Sequence, residues 1–144
     1  MLRRLGMLLA LAGSLGSWRC SVEKPLQPPP MKETSNIAHW VDAITDTDAG
    51  TNITGWAFID SVDTAGSEVF VVLKAGDTQG MFPAAKVPRP DVSKYFNNPG
   101  LDGSGFSVLI KRGLMAKGEY RLGLYIKRDT QQALQFTAKT VTLK

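Results

Sequence analysis

Residues 37–144 alternate between short apolar runs and clusters of turn-forming residues. Tyr120, Leu122, Leu124 and Ile126 alternate with Arg121, Gly123, Tyr125 and Lys127, the period of two expected of a strand with one buried face. Phe106, Val108 and Ile110 repeat the pattern, whereas Val69–Leu73 (VFVVL) is apolar on both faces and predicts a central strand. The spacing predicts strands at 37–44, 52–59, 68–74, 80–87, 105–111, 119–127 and 134–143. Between them lie Asp46–Gly50, Asp63–Gly66, Ala75–Asp77, Asn97–Gly100 and Arg128–Thr130. Asn, Asp, Gly and Pro favour turns because they tolerate positive φ, bond their own backbone or fix φ in advance. In the last strand Leu134 and Phe136 fit one face and Val141 and Leu143 the other, which predicts a β-bulge near Ala138. Helix-like spacing after Pro90 predicts one short helical turn near residues 91–96, within a crossover loop. The fold class expected is therefore all-β: a seven-stranded antiparallel sandwich of two sheets.

The first twenty residues have a different character. Arg3 and Arg4 precede an apolar run from Leu5 to Leu15, the build of a secretory signal peptide and shorter than the ~20 residues that span a bilayer. Cys20, the only cysteine, follows that run at the position where a lipoprotein signal places its acylated residue, although Trp18 and Arg19 are poor neighbours for such processing. The expectation is an exported chain, in the periplasm, cell envelope or extracellular space, tied to a membrane only through a lipid on Cys20. Residues 21–36 contain Pro25 and Pro28–Pro30 and predict an extended, disordered linker, leaving residues 37–144 as one domain without disulfides.

That leader changes the charge argument. The chain has 17 Lys and Arg against 13 Asp and Glu, but Arg3, Arg4 and Arg19 lie in the leader region, where there is no acid. The rest is nearly neutral and has no basic run, so nucleic acid is not an expected partner.

Candidate chemistry is sparse. Trp56, in Gly55-Trp56-Ala57-Phe58, is either a packed aromatic or an exposed platform for a sugar ring. Arg89 lies between Pro88 and Pro90 and is held extended, to clamp a carboxylate or carbonyl of the crossover or to bind an anion; Asp91 is placed to cap the helical turn. Tyr125, with Arg121 and Lys127, is expected on the outward face of its strand, a patch suited to an acidic glycan. The acids Asp42, Asp46, Asp48, Asp60 and Asp63 lack the spacing of a calcium loop. His39 is the only histidine, no nucleophile elbow or phosphate loop is present, and neither a metal nor a cofactor is expected.

The ordered set Gly55-Trp56-Ala57, Arg89-Pro90-Asp91-Val92, Tyr95-Phe96, Ser104-Gly105-Phe106 and Leu114 … Gly118-Glu119-Tyr120 resembles the Ig-like β-sandwich modules of bacterial cell-envelope proteins. Such modules occur alone behind a signal peptide or attached to larger membrane proteins, some linked to surface polysaccharide. The resemblance spans residues 40–126 and implies an Ig-like sandwich that is not an enzyme and has an interaction or structural role. Its partner would be an envelope protein or a glycan; the alternative reading is a carbohydrate-binding module using Trp56, Arg89 and Tyr125.

Overall fold

The computed structural model describes residues 24–144; the predicted leader and Cys20 lie outside them. No helix among the described residues is long and apolar enough to cross a membrane. The strands are β1 (Ile37–Thr47), β2 (Gly50–Ile59), β3 (Glu68–Ala75), β4 (Thr78–Pro83), β5 (Ala85–Val87), β6 (Gly105–Lys111), β7 (Gly118–Arg128) and β8 (Gln131–Leu143). A helical turn, α1 (Pro90–Tyr95), and a 3-10 turn (Pro99–Leu101) fill the crossover from β5 to β6. All pairings are antiparallel, and the two sheets have the orders β1-β2-β6-β5 and β4-β3-β7-β8.

This order is Ig-like: β1-β2-β6-β5 corresponds to the four-stranded sheet of an immunoglobulin domain, and β3-β7-β8 to the three-stranded one. A further hallmark is Tyr120 at the start of β7, whose hydroxyl donates to the carbonyl of Ala116 at 2.7 Å and pins the entry from β6. The strands number eight rather than seven because the predicted 80–87 strand divides. Pro83 and Ala84 turn the chain from the edge of one sheet to the edge of the other, so β4 pairs with β3 while β5 pairs with β6. Period-two alternation cannot reveal such a transfer, since both halves are extended.

Inward residues of both sheets form one core. Ile53, Val71, Leu73, Phe106, Ile110, Leu122, Leu124, Ile126 and Val141 are fully buried within it. The predicted bulge is present: opposite Leu122 the register shifts between the pairs Arg121–Thr140 and Gly123–Phe136, a stretch that includes Ala138. Thr137 Oγ1 donates to the carbonyl of Leu122 at 2.9 Å, satisfying a group that the broken ladder would leave unpaired.

The proline-rich segment is packed, contrary to the expectation of a disordered linker. Leu26 exchanges both backbone hydrogen bonds with Met81 on the β4 edge, at 3.1 and 2.8 Å. Further on, Thr34 bonds the backbone of Leu134 on the β8 edge, and Glu33 Oε1 accepts from the Phe136 N–H at 3.0 Å. From outside one edge to outside the other is five strand spacings, roughly 24 Å at ~4.8 Å each. Eight residues of polyproline II rise about 25 Å, so the prolines supply a strap of the required length. Beneath it Val72, Met81, Tyr125 and Leu134 form a second cluster with Met31, Phe70 and Phe136. Covered on both sides, β3 is apolar on both faces.

Tyr125 is thereby corrected as a surface contact residue. Its side chain does point outward, but it lies buried in this cluster against Phe70, and its hydroxyl donates to Gln132 Oε1 at 2.7 Å. Burial, and secondarily the charge of Glu68, raises its pKa above the ordinary phenol value. The unfolded chain then gives up this proton first, so Tyr125 erodes stability as pH rises past about 10. Tyr125→Phe is expected to cost about 1 kcal/mol at neutral pH through the lost hydrogen bond. Above pH ~10 its stability, measured by urea unfolding, should fall less steeply than that of the wild type.

Candidate functional site

The outer face of the β1-β2-β6-β5 sheet carries a cluster of aromatic side chains. On β2 the inward residues are Ile53, Gly55, Ala57 and Ile59, which leaves Trp56 and Phe58 facing out. Trp56 stacks on Phe58 with ring centres 5.7 Å apart, and Phe96 meets both rings edge-on at 5.6 and 5.2 Å. Tyr95 in turn packs edge-on against Phe96 at 4.9 Å. Across the β1–β2 ladder Trp56 stands directly opposite Trp40. Trp40 is 60% exposed and Tyr95 84% exposed, so the cluster has a packed centre and a wet rim. An open cleft of about 370 Å³ lies among Trp56, Asp91, Val92, Tyr95 and Phe96.

The turn α1 places the last two of these aromatics. Pro90 occupies its first position, where a missing N–H costs nothing, and Val92 packs with Leu101 and Phe58 beneath it. Asp91 does not cap the turn as expected: Arg89 is the N-cap residue, and no side chain caps it. Instead the Asp91 carboxylate takes both Nε and Nη2 of Arg89, at 2.9 and 2.8 Å. The remaining Arg89 nitrogen, Nη1, pairs with Asp42. Asp42 is the residue at the register shift of β1 between Val41 and Ala43.

Arg89 reaches β1 only because Gly105 lets it pass. A side chain at Gly105 would overlap the Val87 carbonyl and Arg89 Cγ, so the arginine stem lies directly on the backbone of β6. Starting there, the guanidinium crosses β2 to β1 and ties the bulge to α1. Its hydrogen bonds hold the Asp91 carboxyl well below the ordinary range, at about 2. The same bonds, with Asp91 first and then Asp42, raise the Arg89 pKa further above its ordinary value. Arg89 is thus charged and triply bonded, and the structure brings it together with Trp56 on one face.

Of the three contact residues expected from sequence, Trp56 and Arg89 share this face, whereas Tyr125 lies on the opposite sheet under the strap. Trp40, Tyr95 and Phe96 join this face without a signal in the sequence pattern that marks them as contact residues. Trp40 falls in a β1 segment whose alternation the bulge interrupts, and Tyr95 depends on how α1 is docked. His39 Nδ1 lies 3.0 Å from the carbonyl of Ile37, and its ring makes no hydrogen bond to a serine or a carboxylate among the described residues. No group of three or more His, Cys, Asp or Glu that could hold a metal occurs among the described residues.

No protein-family model, curated protein or solved structure matches this chain. The chemistry open to the face therefore follows from its geometry: ring stacking on Trp40, Trp56 and Tyr95, and hydrogen-bond acceptance by the free lone pairs of Asp91 and Asp42.

Asp91 provides a test of the clamp. The Arg89–Asp91 pair contributes fully above the ordinary carboxylate pKa and is lost as pH falls through about 2. In Arg89→Gln the Asp91 carboxyl is expected to titrate near ~3.9, read from its carboxyl carbon by NMR. Amide exchange in α1 should accelerate in the same variant. An Asp91 titration identical to wild type would contradict the clamp.

Proposed function

We propose that this chain is a non-catalytic, exported binding module of the bacterial cell envelope, and that its contact surface is the aromatic face of the β1-β2-β6-β5 sheet. The observation that carries the reading is the exposed Trp40 paired with Trp56 beside the open cleft at Tyr95. An exposed tryptophan next to two further aromatics is a costly arrangement for a solvated face. Covering one such ring removes on the order of 100 Å² of apolar surface, worth about 2.5 kcal/mol at ~25 cal/mol per Å². Export and envelope location are supported by the apolar leader after Arg3 and Arg4; Cys20 marks where a lipid anchor would attach. The likeness to envelope Ig-like modules rests on the motif set alone.

The partner class is an envelope protein or a glycan. One observation favours the glycan. Asp91 and Asp42 stand at the rim of the stacked rings with lone pairs that Arg89 leaves free, and a pyranose offers both an apolar face for stacking and hydroxyls for those acceptors.

A glycan array probed with the full chain tests this reading. Saturable binding to at least one saccharide is expected. Trp40→Ala and Tyr95→Ala should each weaken it about tenfold or more, the loss of roughly 1.4 kcal/mol or more, with thermal melts close to wild type. Binding that survives both substitutions would place the contact elsewhere. An array without any saturable signal would leave the glycan reading without support in favour of a protein partner.

A further inference from the structure

The opposite sheet carries a feature that the aromatic face does not use. Register places Gln79, Lys74, Arg121 and Thr140 side by side across β4, β3, β7 and β8, in one row on the outer face. The next row is Met81, Val72, Gly123 and Phe136, the apolar ground under the strap. Lys74 and Arg121 are directly opposite one another. Like charges in that position oppose sheet pairing, and they are tolerated where something negative lies between them. None of the ion pairs among the described residues includes either cation.

The surroundings hold Arg121 in place. The Phe136 ring lies over Gly123, where a Cβ would meet it at 2.9 Å, and the Arg121 guanidinium sits 4.6 Å from the centre of that ring. On one side of the pair is a cleft of about 380 Å³ walled by Pro28, Pro29, Pro30 and Met31. On the other is a cleft of about 310 Å³ running past Gly76 to Glu119. Each cleft has a single carboxylate, and that of Glu33 accepts the Phe136 N–H. Lys74 and Arg121 line both clefts, with Glu33 in one and Glu119 in the other, and neither carboxylate is in an ion pair with them.

We propose that the Gln79–Lys74–Arg121–Thr140 row, walled by the proline strap, is a binding site for an oxyanion (carboxylate, sulfate or phosphate) carried on a saccharide-sized molecule. The guanidinium supplies a planar fork for two oxygens of the anion and Lys74 a point charge at its side. Gln79 and Thr140 offer donors to neighbouring hydroxyls, and Met31 and Phe136 supply apolar contact. This site lies on the other sheet from Trp40 and Trp56 and stands or falls without them.

Titrating the isotope-labelled full chain with glucuronate, inorganic phosphate, sulfate and, as the neutral control, glucose tests the proposal. Saturable NMR shift changes at Lys74 and Arg121 are expected with the anions, at least tenfold tighter than with glucose and weakening as salt is added. Glucuronate binding tighter than phosphate would show that the sugar ring contributes as well as the anion; equal binding would assign recognition to the anion alone. Lys74→Gln and Arg121→Gln should each weaken binding tenfold or more, while Trp40→Ala leaves it unchanged and so separates this site from the aromatic face. Both residues are outside the core; without ligand Lys74→Gln should melt at or above wild type, while Arg121→Gln gives up its contact with the Phe136 ring and should melt slightly lower. No saturable shift with any anion, or wild-type affinity in the double variant, overturns the proposal.

Discussion

The candidate aromatic site depends on one side chain lying where a β-sheet seldom allows one. Arg89 runs flat across β6 at Gly105 and over β2 before its guanidinium divides between Asp91 and Asp42. As exposed ion pairs go, these contribute little individually. Their consequence is geometric. Three bonds from one rigid fork fix α1 relative to the β1 bulge, and α1 carries Tyr95 and leads into Phe96, whose rings complete the Trp56 cluster. Without Arg89 the turn would keep the apolar seat of Val92, Leu101 and Phe58 and the packing of Phe96 on Trp56 and Phe58, but lose its tie to the β1 bulge.

Much of the architecture was legible in the sequence because burial on one face writes itself as alternation. The β6 and β7 patterns, the late bulge and the turn after Pro90 are all of this kind. What alternation cannot carry is which sheet an extended residue belongs to, so the passage of the chain from β4 to β5 at Ala84 read as one strand. Nor does it report what lies on top of an outward residue. Tyr125 occupies an outward position, yet a segment a hundred residues earlier in the chain covers it. The site was half legible for a related reason. Trp56 and Arg89 stood out by residue type and local context, but their proximity is set by Gly105 and by a bulge at Asp42. Trp40 and Tyr95 become contact candidates only once exposure is known.

The two sheets have divided their outer faces unequally. One is left open, with aromatic rings at the surface and Arg89 across its strands. The other is covered by the strap over its apolar half and open along the row of Lys74 and Arg121. Closure also changes the edges. On β4 and β8 the backbone groups beside Met81, Leu134 and Phe136 are occupied by Leu26, Thr34 and Glu33, so neither edge presents an unbroken template there for another strand. Of the remaining edges β5 is three residues long, and β1 is interrupted at Asp42.

The strap also decides how the domain would respond to force. Any load arriving from the N-terminal side of Lys24 reaches the fold first at Leu26, whose two hydrogen bonds to Met81 are the outermost attachment. Only after those part, and Met31 lifts from the cluster of Val72 and Tyr125, does the load reach Thr34 and the β8 edge. The sandwich therefore has two latches in series between its core and whatever holds its N-terminal side. Parting of the first alone would leave the inward core intact and let out the segment from Leu26 to Thr34.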